Sequence, residues 1–469
     1  MVDVQQANVE AARRALETAQ GFHFVGIGGV GMSALARYLL HIGKQVSGTD
    51  RSPGRRLDEL ASHGARVRVG HNPEAIPPGA CVVYTTAIPR DNAELVAARE
   101  LGLPVVHRAE LLAAIVNQRE SVAITGTHGK TTTTAMLAHI LAAAGLRPLA
   151  FVGGEVNGWP DGNLLLGDGP AVYEACESDG TLLLYKPTAA ILTSLEPDHL
   201  DQHKTFENLR AKVRQFAARV PPEGHLLYWA ECEALAGVVD SGPAKKVSYG
   251  RGAAAQWRAE NVRIMGEELL VFDLCWLGGR TKVKLRAVGR HNALNATAAV
   301  AAAHEIWGVD VQTAAEALAA YPGVARRFQF VGWVGSSRIV HDYAHHPTEI
   351  GVVIQAAREH LGGKVLVVFQ PHLFSRTRDL MDGFATCFND ADEVIILPIY
   401  AAREEPLPGI TSEVLYQRVR QARGERETRI AETFDEVAER ARLYHRAGWV
   451  VLVLGAGDVE KLAYLMAEA

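Results

Sequence analysis

A chain of 469 residues is long for one hydrophobic core, and at roughly 100 to 200 residues per domain it is expected to form three domains. Apolar residues at 48% and charged residues at 22% lie near the averages for globular proteins, which excludes intrinsic disorder, collagen-like repeats and coiled coil. Lys and Arg total 48 against 53 Asp and Glu, and a net charge of −5 gives no electrostatic case for a nucleic-acid partner or an anionic membrane surface.

Residues 1–20 mix acidic and basic side chains without an apolar block, so they read as a short amphipathic helix and not as a secretory signal. From Phe22 to about Ala114, short apolar runs (22–27, 45–48, 66–69, 81–84, 105–106) alternate with helical stretches, the pattern of a parallel sheet with crossover helices. A new strand at 121–125 opens a second β/α segment that continues through 186–195. Alternating apolar and polar residues over 247–283 predict antiparallel strands, followed by an Ala-rich helix over about 292–305. The Ala-rich stretches at 135–144 and 293–303 are too short and interrupted to span a bilayer, so no membrane insertion is expected. Tyr321, Pro322 and Gly323 mark a break, after which strands at 339–341, 365–369, 393–397 and 450–454 predict a third α/β unit. The expected boundaries are 1–115, 116–323 and 324–469. The five cysteines (Cys81, Cys176, Cys232, Cys275, Cys387) are odd in number with no close pair, which fits a reducing cytoplasm.

Two glycine-rich turns stand between a strand and a helix. Gly26-Ile27-Gly28-Gly29-Val30-Gly31 lets backbone N–H groups approach a diphosphate, and Asp50, at the end of the next strand, is placed for a ribose hydroxyl. Taken alone, that turn reads as a dinucleotide site. Gly126-Thr127-His128-Gly129-Lys130-Thr131-Thr132 is more specific: its N–H groups cradle phosphates, Lys130 neutralises them and the Thr131 hydroxyl is placed for magnesium. It departs from the full phosphate-loop pattern, because position 124 is Ile. Two acidic runs, Glu174 to Asp179 and Glu196 to Asp201, follow apolar strands; their carboxylates offer hard oxygen ligands to magnesium and His199 a nitrogen ligand. His291, Asn292 and Asn295 open a helix with groups able to read an adenine edge, Arg327 follows the segment break within reach of a phosphate, and His341 to Pro347 and Gln370 to Arg378 end strands of the third segment.

In this order, the G-T-H-G-K-T loop, the E-x-D-H box, the G-R-H-N-x-x-N helix start, the G-x-x-R-R-F break and the D-Y-A-H-H-P box resemble the Mur ligase family across essentially the whole chain. The resemblance implies an N-terminal Rossmann-like domain for the UDP part of a sugar nucleotide, a central P-loop ATPase-like α/β domain, and a C-terminal Rossmann-like α/β domain that closes over the cleft with the amino acid. The implied activity, from Gly26 to Ser33 together with His128, is ATP-dependent joining of L-alanine to the carboxylate of UDP-N-acetylmuramate through an acyl phosphate, in peptidoglycan precursor synthesis. Gly28, Gly31, Asp50, His71 and Thr86 are thereby placed near the UDP sugar. ATP falls to Gly126, Thr127, His128, Gly129, Lys130, Thr131, Thr132, His291, Asn292, Asn295, Arg327 and Asp342. Magnesium falls to Thr131, Glu177 and His199, and the chemistry to Lys130, Glu177, His199, Arg327 and His345. Closure and substrate contacts fall to Asp342, His345, His346, His372 and Arg376. The same resemblance leaves two further readings, a recycling ligase that adds a whole tripeptide and a non-catalytic nucleotide sensor, and it implies a cytoplasmic monomer or dimer. His341 stands where the family commonly has Asp, and Leu373 where an Arg often follows the His of Q-P-H.

Overall fold

The computed structural model describes residues 4–178, 180–441 and 448–468. Three sheets organise the chain into N-terminal, central and C-terminal α/β domains, the class the β/α alternation predicts. By compactness it divides into two units, one of Met1–Glu196, Glu207–Trp257 and Ala296–Ala317, the other of Pro197–Phe206, Arg258–Asn295 and Leu318–Ala469.

In the first unit, five parallel strands lie in the order Arg66–Val69, Gln45–Asp50, Gly21–Val25, Cys81–Tyr84, Val105–His107. The order reverses beside Gly21–Val25, so the first glycine turn leaves the sheet at a switch point, where open parallel sheets place ligands. Gly48 is required inside its strand, since a Cβ there would stand 2.7 Å from the Phe24 carbonyl oxygen. The second sheet of this unit runs Lys245–Gly250, His225–Trp229, Ala189–Leu192, Ser121–Thr125, Ala171–Glu174, Leu149–Phe151, Leu164–Leu165. Its middle strand, Ser121–Thr125, is buried throughout and delivers the second glycine turn between the ends of its neighbours. The predicted antiparallel stretch begins later than expected. Lys245–Gly250 pairs parallel with His225–Trp229, and the antiparallel pairing starts only with Trp257–Ile264 against Leu269–Trp276.

The second unit holds the antiparallel ribbon Trp257–Ile264, Leu269–Trp276, Gly279–Arg286. It also holds a sheet ordered Gln329–Val334, Ser337–Asp342, Trp449–Leu454, Lys364–Phe369, Glu393–Ile396, Thr428–Ile430, parallel except for its first pair. Alternate residues of its central strands feed two separate apolar cores. Val365, Val367 and Phe369 pack with Ile350, Ile354 and Phe384, and Leu366 and Val368 pack with Val437, Leu462 and Met466. Burial on both faces explains why these strands read as unbroken apolar runs.

Candidate functional site

The phosphate loop is built by backbone conformation first. Gly126 has φ +131 and a Cβ on it would lie 2.5 Å from the Ser194 carbonyl oxygen, so only glycine fits. Gly129 (φ +80) caps the helix Lys130–Ala143, whose first N–H groups face the turn. Neighbouring loops hold it: Thr127 N–H donates to Ser194 O at 2.9 Å, His128 N–H to Ser194 Oγ at 2.9 Å, and Glu196 N–H to Thr127 Oγ1 at 2.8 Å. His128 Nε2 lies 3.5 Å from Glu196 Oε2.

Charge then gathers at the start of that helix. The Lys130 ammonium donates to Glu177 Oε1 at 2.9 Å, to Thr127 O at 3.1 Å and to Gly126 O. Burial works against the ammonium, but the Glu177, Cys176 and Glu174 side chains outweigh it and hold Lys130 above the usual lysine pKa. The Thr131 hydroxyl donates to Glu174 Oε2 at 3.2 Å, and Gly153 N–H donates to Glu174 Oε1. Within its acidic run Glu174 is set apart by its place at the end of the strand beside Ser121–Thr125. Asp179 of that run lies outside the described residues, and Thr132 is half-buried on the same helix. One ammonium, one hydroxyl, two carboxylates and a helix N-terminus form a donor set of hard oxygens and N–H groups, which fits a nucleoside triphosphate with magnesium.

At the first glycine turn, Gly26 and Ile27 N–H groups donate to Thr49 O at 2.8 and 2.9 Å, and Gly28 N–H donates to Asp50 Oδ2 at 2.9 Å. The Asp50 carboxylate therefore braces the turn as well as standing at its mouth. A Cβ on Gly28 would meet that carboxylate at 2.9 Å, and one on Gly31 would approach Arg108 Nη1 at 3.4 Å. His71 is half-buried, with Nδ1 3.0 Å from Thr49 Oγ1, whereas Thr86 is exposed.

In the second unit, the side chains of the E-x-D-H box and the third-segment histidines meet. Arg376 Nε donates to Asp198 Oδ1 at 3.1 Å, both side chains being buried, and Arg376 Nη1 lies 3.1 Å from His372 Nδ1. Burial raises the Asp198 pKa, but Arg376, then His199, His345 and His346, hold it well below the usual carboxylate range. Arg376 pushes both His345 and His372 the same way as burial does, His345 down to about 4. His372 stacks on Tyr400 at 5.7 Å. His199 has left-handed backbone (φ 53), with its N–H on Asp198 Oδ1 at 2.8 Å. A small cavity beside this cluster is lined by Pro197, Asp198, His199, Ser375, Arg376 and Asp379. His346 caps the helix Pro347–His360: Nδ1 accepts from Thr348 N–H at 3.2 Å and Nε2 lies 3.3 Å from Pro197 O.

The remaining predicted residues fall at the segment break and the helix start. Asp342 Oδ2 accepts from Phe328 N–H and Oδ1 from Ala344 N–H, each at 2.7 Å, and burial raises its carboxyl to about 6 against the pull of Arg327. Arg326 and Arg327 lie 4.8 and 5.4 Å from the Tyr343 ring centroid. His341 Nδ1 is 2.9 Å from Val453 O, which can only accept, so Nε2 is left to accept from Arg326 Nε at 3.2 Å. Asn292 Nδ2 donates to Val288 O at 2.8 Å, Asn295 Nδ2 donates to Asn292 Oδ1 at 2.9 Å, and His291 is exposed.

Comparison with known proteins covers the same segments. The profiles described as Mur ligase family catalytic domain, Mur ligase middle domain, and Mur ligase glutamate ligase domain match residues 21–120, 124–303 and 326–457. A UDP-N-acetylmuramate–L-alanine ligase of Anaeromyxobacter sp. (strain Fw109-5) is 44% identical over 441 residues, 93% of this chain and 95% of that enzyme. One of Agrobacterium fabrum is 40% identical over 452 residues, covering 94% and 95%. Among solved structures, a UDP-N-acetylmuramate–alanine ligase from Thermotoga maritima superposes with a TM-score of 0.81 at 28% identity, covering 96% of this chain and 98% of that one. A murein peptide ligase from Psychrobacter arcticus superposes with a TM-score of 0.71 at 25% identity, covering 95% and 98%. With family profiles spanning all three domains and relatives above 40% identity along nearly its full length, the chain belongs to the Mur ligase family.

Proposed function

We propose that this chain is an ATP-dependent ligase that joins L-alanine to the muramyl carboxylate of UDP-N-acetylmuramate, in the cytoplasm, as a step of peptidoglycan precursor synthesis. The observation that carries the reading is the Lys130, Thr131, Glu174 and Glu177 constellation on a glycine turn, in a chain 40–44% identical to enzymes of that name. Those identities favour single-residue addition over the tripeptide-adding and sensor readings. The proposed division of labour is UDP sugar on 1–115, ATP on 116–323 and the amino acid on 324–469.

A carboxylate is a poor electrophile. The muramyl carboxylate oxygen attacks the γ-phosphorus of ATP, the bond to the β,γ-bridging oxygen breaks, and ADP leaves. Lys130 and the N–H groups of the loop stabilise the charge on the transferring phosphoryl group. Thr131 and Glu177 would hold magnesium, which would screen the repulsion between the anions, and the family resemblance assigns His199 to magnesium as well. The alanine amine then attacks the acyl carbon, the tetrahedral intermediate collapses with inorganic phosphate as leaving group, and one proton is lost from nitrogen. Arg376, aimed by Asp198 and His372, is assigned to the alanine carboxylate, for which a guanidinium is the natural partner. Asp342, Arg327, His291, Asn292 and Asn295 are assigned to the nucleotide, and His345 and His346 to closure. Phosphate release measured with each substrate omitted in turn tests the reading: release should require UDP-N-acetylmuramate and L-alanine together, and release that is indifferent to the amino acid would reject it.

A further inference from the structure

Beneath the N-terminal sheet lies a buried polar relay that ends at a half-exposed histidine. Glu94 and His23 are fully buried. Glu94 Oε1 accepts from Asn72 N–H at 2.6 Å and Oε2 accepts from the Thr49 hydroxyl at 2.8 Å, while His23 Nε2 stands 3.5 Å from the same oxygen. Glu94 is the second residue of the helix Ala93–Glu100, whose Asn92 cap accepts its N–H at 3.0 Å, so the helix dipole favours an anion there. Burial raises the Glu94 pKa, but the nearby His23 ring and the hydrogen bonds from Asn72 and Thr49 outweigh it, leaving the carboxyl below the ordinary glutamate value. The group is ionised at neutral pH.

An ionised carboxylate only accepts. The single hydroxyl proton of Thr49 is therefore committed to Glu94, and Thr49 Oγ1 meets His71 Nδ1, 3.0 Å away, with a lone pair. Nδ1 must carry the proton, so in the neutral ring Nε2 is an acceptor. Thr49 also accepts, through its carbonyl, from Gly26 and Ile27 of the glycine turn, and Gly70 N–H, just before His71, donates to Asp50 O at 2.7 Å. One residue thus ties the turn and the histidine to the same edge of the sheet. Uracil presents N3–H to an acceptor, whereas cytosine presents a lone pair at N3.

We propose that Glu94, acting through Thr49, is a positioning residue that fixes His71 in the Nδ1–H form, so that His71 Nε2 accepts the N3–H of uracil and selects uridine over cytidine nucleotides. The inference rests on the reading that the N-terminal domain holds the UDP part of the substrate. Two measurements on the full chain test it. Long-range nitrogen–proton correlation of labelled histidines, with His71 assigned by loss of its signals in His71→Ala, should show the Nδ1–H tautomer; an Nε2–H ring overturns the proposal. Calorimetric titration with UDP and CDP should show UDP preferred by about tenfold or more, the worth of one hydrogen bond in a shielded site. His71→Ala and Glu94→Gln should level the two affinities without changing that for ATP, and Glu94→Asp should restore part of the preference. UDP binding with an undiminished preference in His71→Ala overturns this proposal alone, while failure of the wild-type chain to bind UDP overturns the underlying reading with it.

Discussion

The Lys130 ammonium and the Glu177 carboxylate face each other at 2.9 Å, with Glu177 almost wholly buried. Loss of either partner leaves a charge in a shielded place, so the pair does two things at once: it holds the loop and it stores a cation where phosphate is expected. Lys130→Ala should lower ligation by about a thousandfold or more, the scale of losing a group that stabilises a developing anion. It should also cost stability, since an unpaired buried carboxylate remains. The double variant Lys130→Ala/Glu177→Gln should recover stability in thermal melts but not turnover, and turnover near the wild-type rate in Lys130→Ala would remove the loop from the mechanism.

Thr131 and Glu174 supply a second separation of roles. The Thr131 hydroxyl donates to Glu174 Oε2 at 3.2 Å, and Gly153 N–H fixes the other carboxylate oxygen. Thr131→Ala should raise the magnesium concentration needed for half-maximal turnover by about tenfold, the worth of one oxygen contact, and Thr131→Ser should restore it. An unchanged magnesium requirement in Thr131→Ala would remove the hydroxyl from the ligand set.

Arg376 serves Asp198 in the structure, at 3.1 Å with both side chains buried. Arg376→Ala should therefore cost about 3–5 kcal/mol, as expected when one partner of a buried pair is removed, and should raise KM for L-alanine. Adding Asp198→Asn should return most of the stability. If the double variant also regains normal alanine kinetics, Arg376 is a structural partner and not the contact for the alanine carboxylate.

The histidines of the second unit predict acid sensitivity. Burial, with Arg326 beside His341 and Arg376 beside His345, holds both near 4, against an unfolded value of about 6.5. Unfolding takes up their protons, so their contribution is complete above pH 6.5 and is lost as pH falls to 4. Asp342, raised to about 6, acts oppositely over part of the same range, but burial lowers His360 and His372 as well, so the histidines outnumber it. Denaturation midpoints should fall between pH 6.5 and 4.5, and His341→Gln, which does not titrate, should flatten the slope by about 1.4 kcal/mol per pH unit. An identical slope in that variant would contradict the assignment.

Much of this was legible in the sequence, and the misses share one cause. Strand-to-helix glycine turns announce themselves, and Gly126, Lys130 and Thr131 stand together as their spacing implies. Side chains recruited across strands do not. Glu174 reads as one more acid in an acidic run until the parallel register puts Ile124 beside it. Glu94 reads as an ordinary first-turn acid of a helix, although it lies buried under Thr49 and His71. Leu373, noted as a departure where the family often has Arg, is 4% exposed with left-handed backbone (φ 71). Leu373→Arg would bury a guanidinium in a strained turn, a cost invisible to motif comparison.

The central claim is that the muramyl carboxylate is phosphorylated before the amine attacks, and isotope transfer tests it most directly. With UDP-N-acetylmuramate labelled by oxygen-18 in its carboxylate, ATP and L-alanine, the phosphate released by the full chain should carry one labelled oxygen. Phosphate free of label, with one labelled oxygen kept in the amide and the other lost to water, would contradict the acyl-phosphate route.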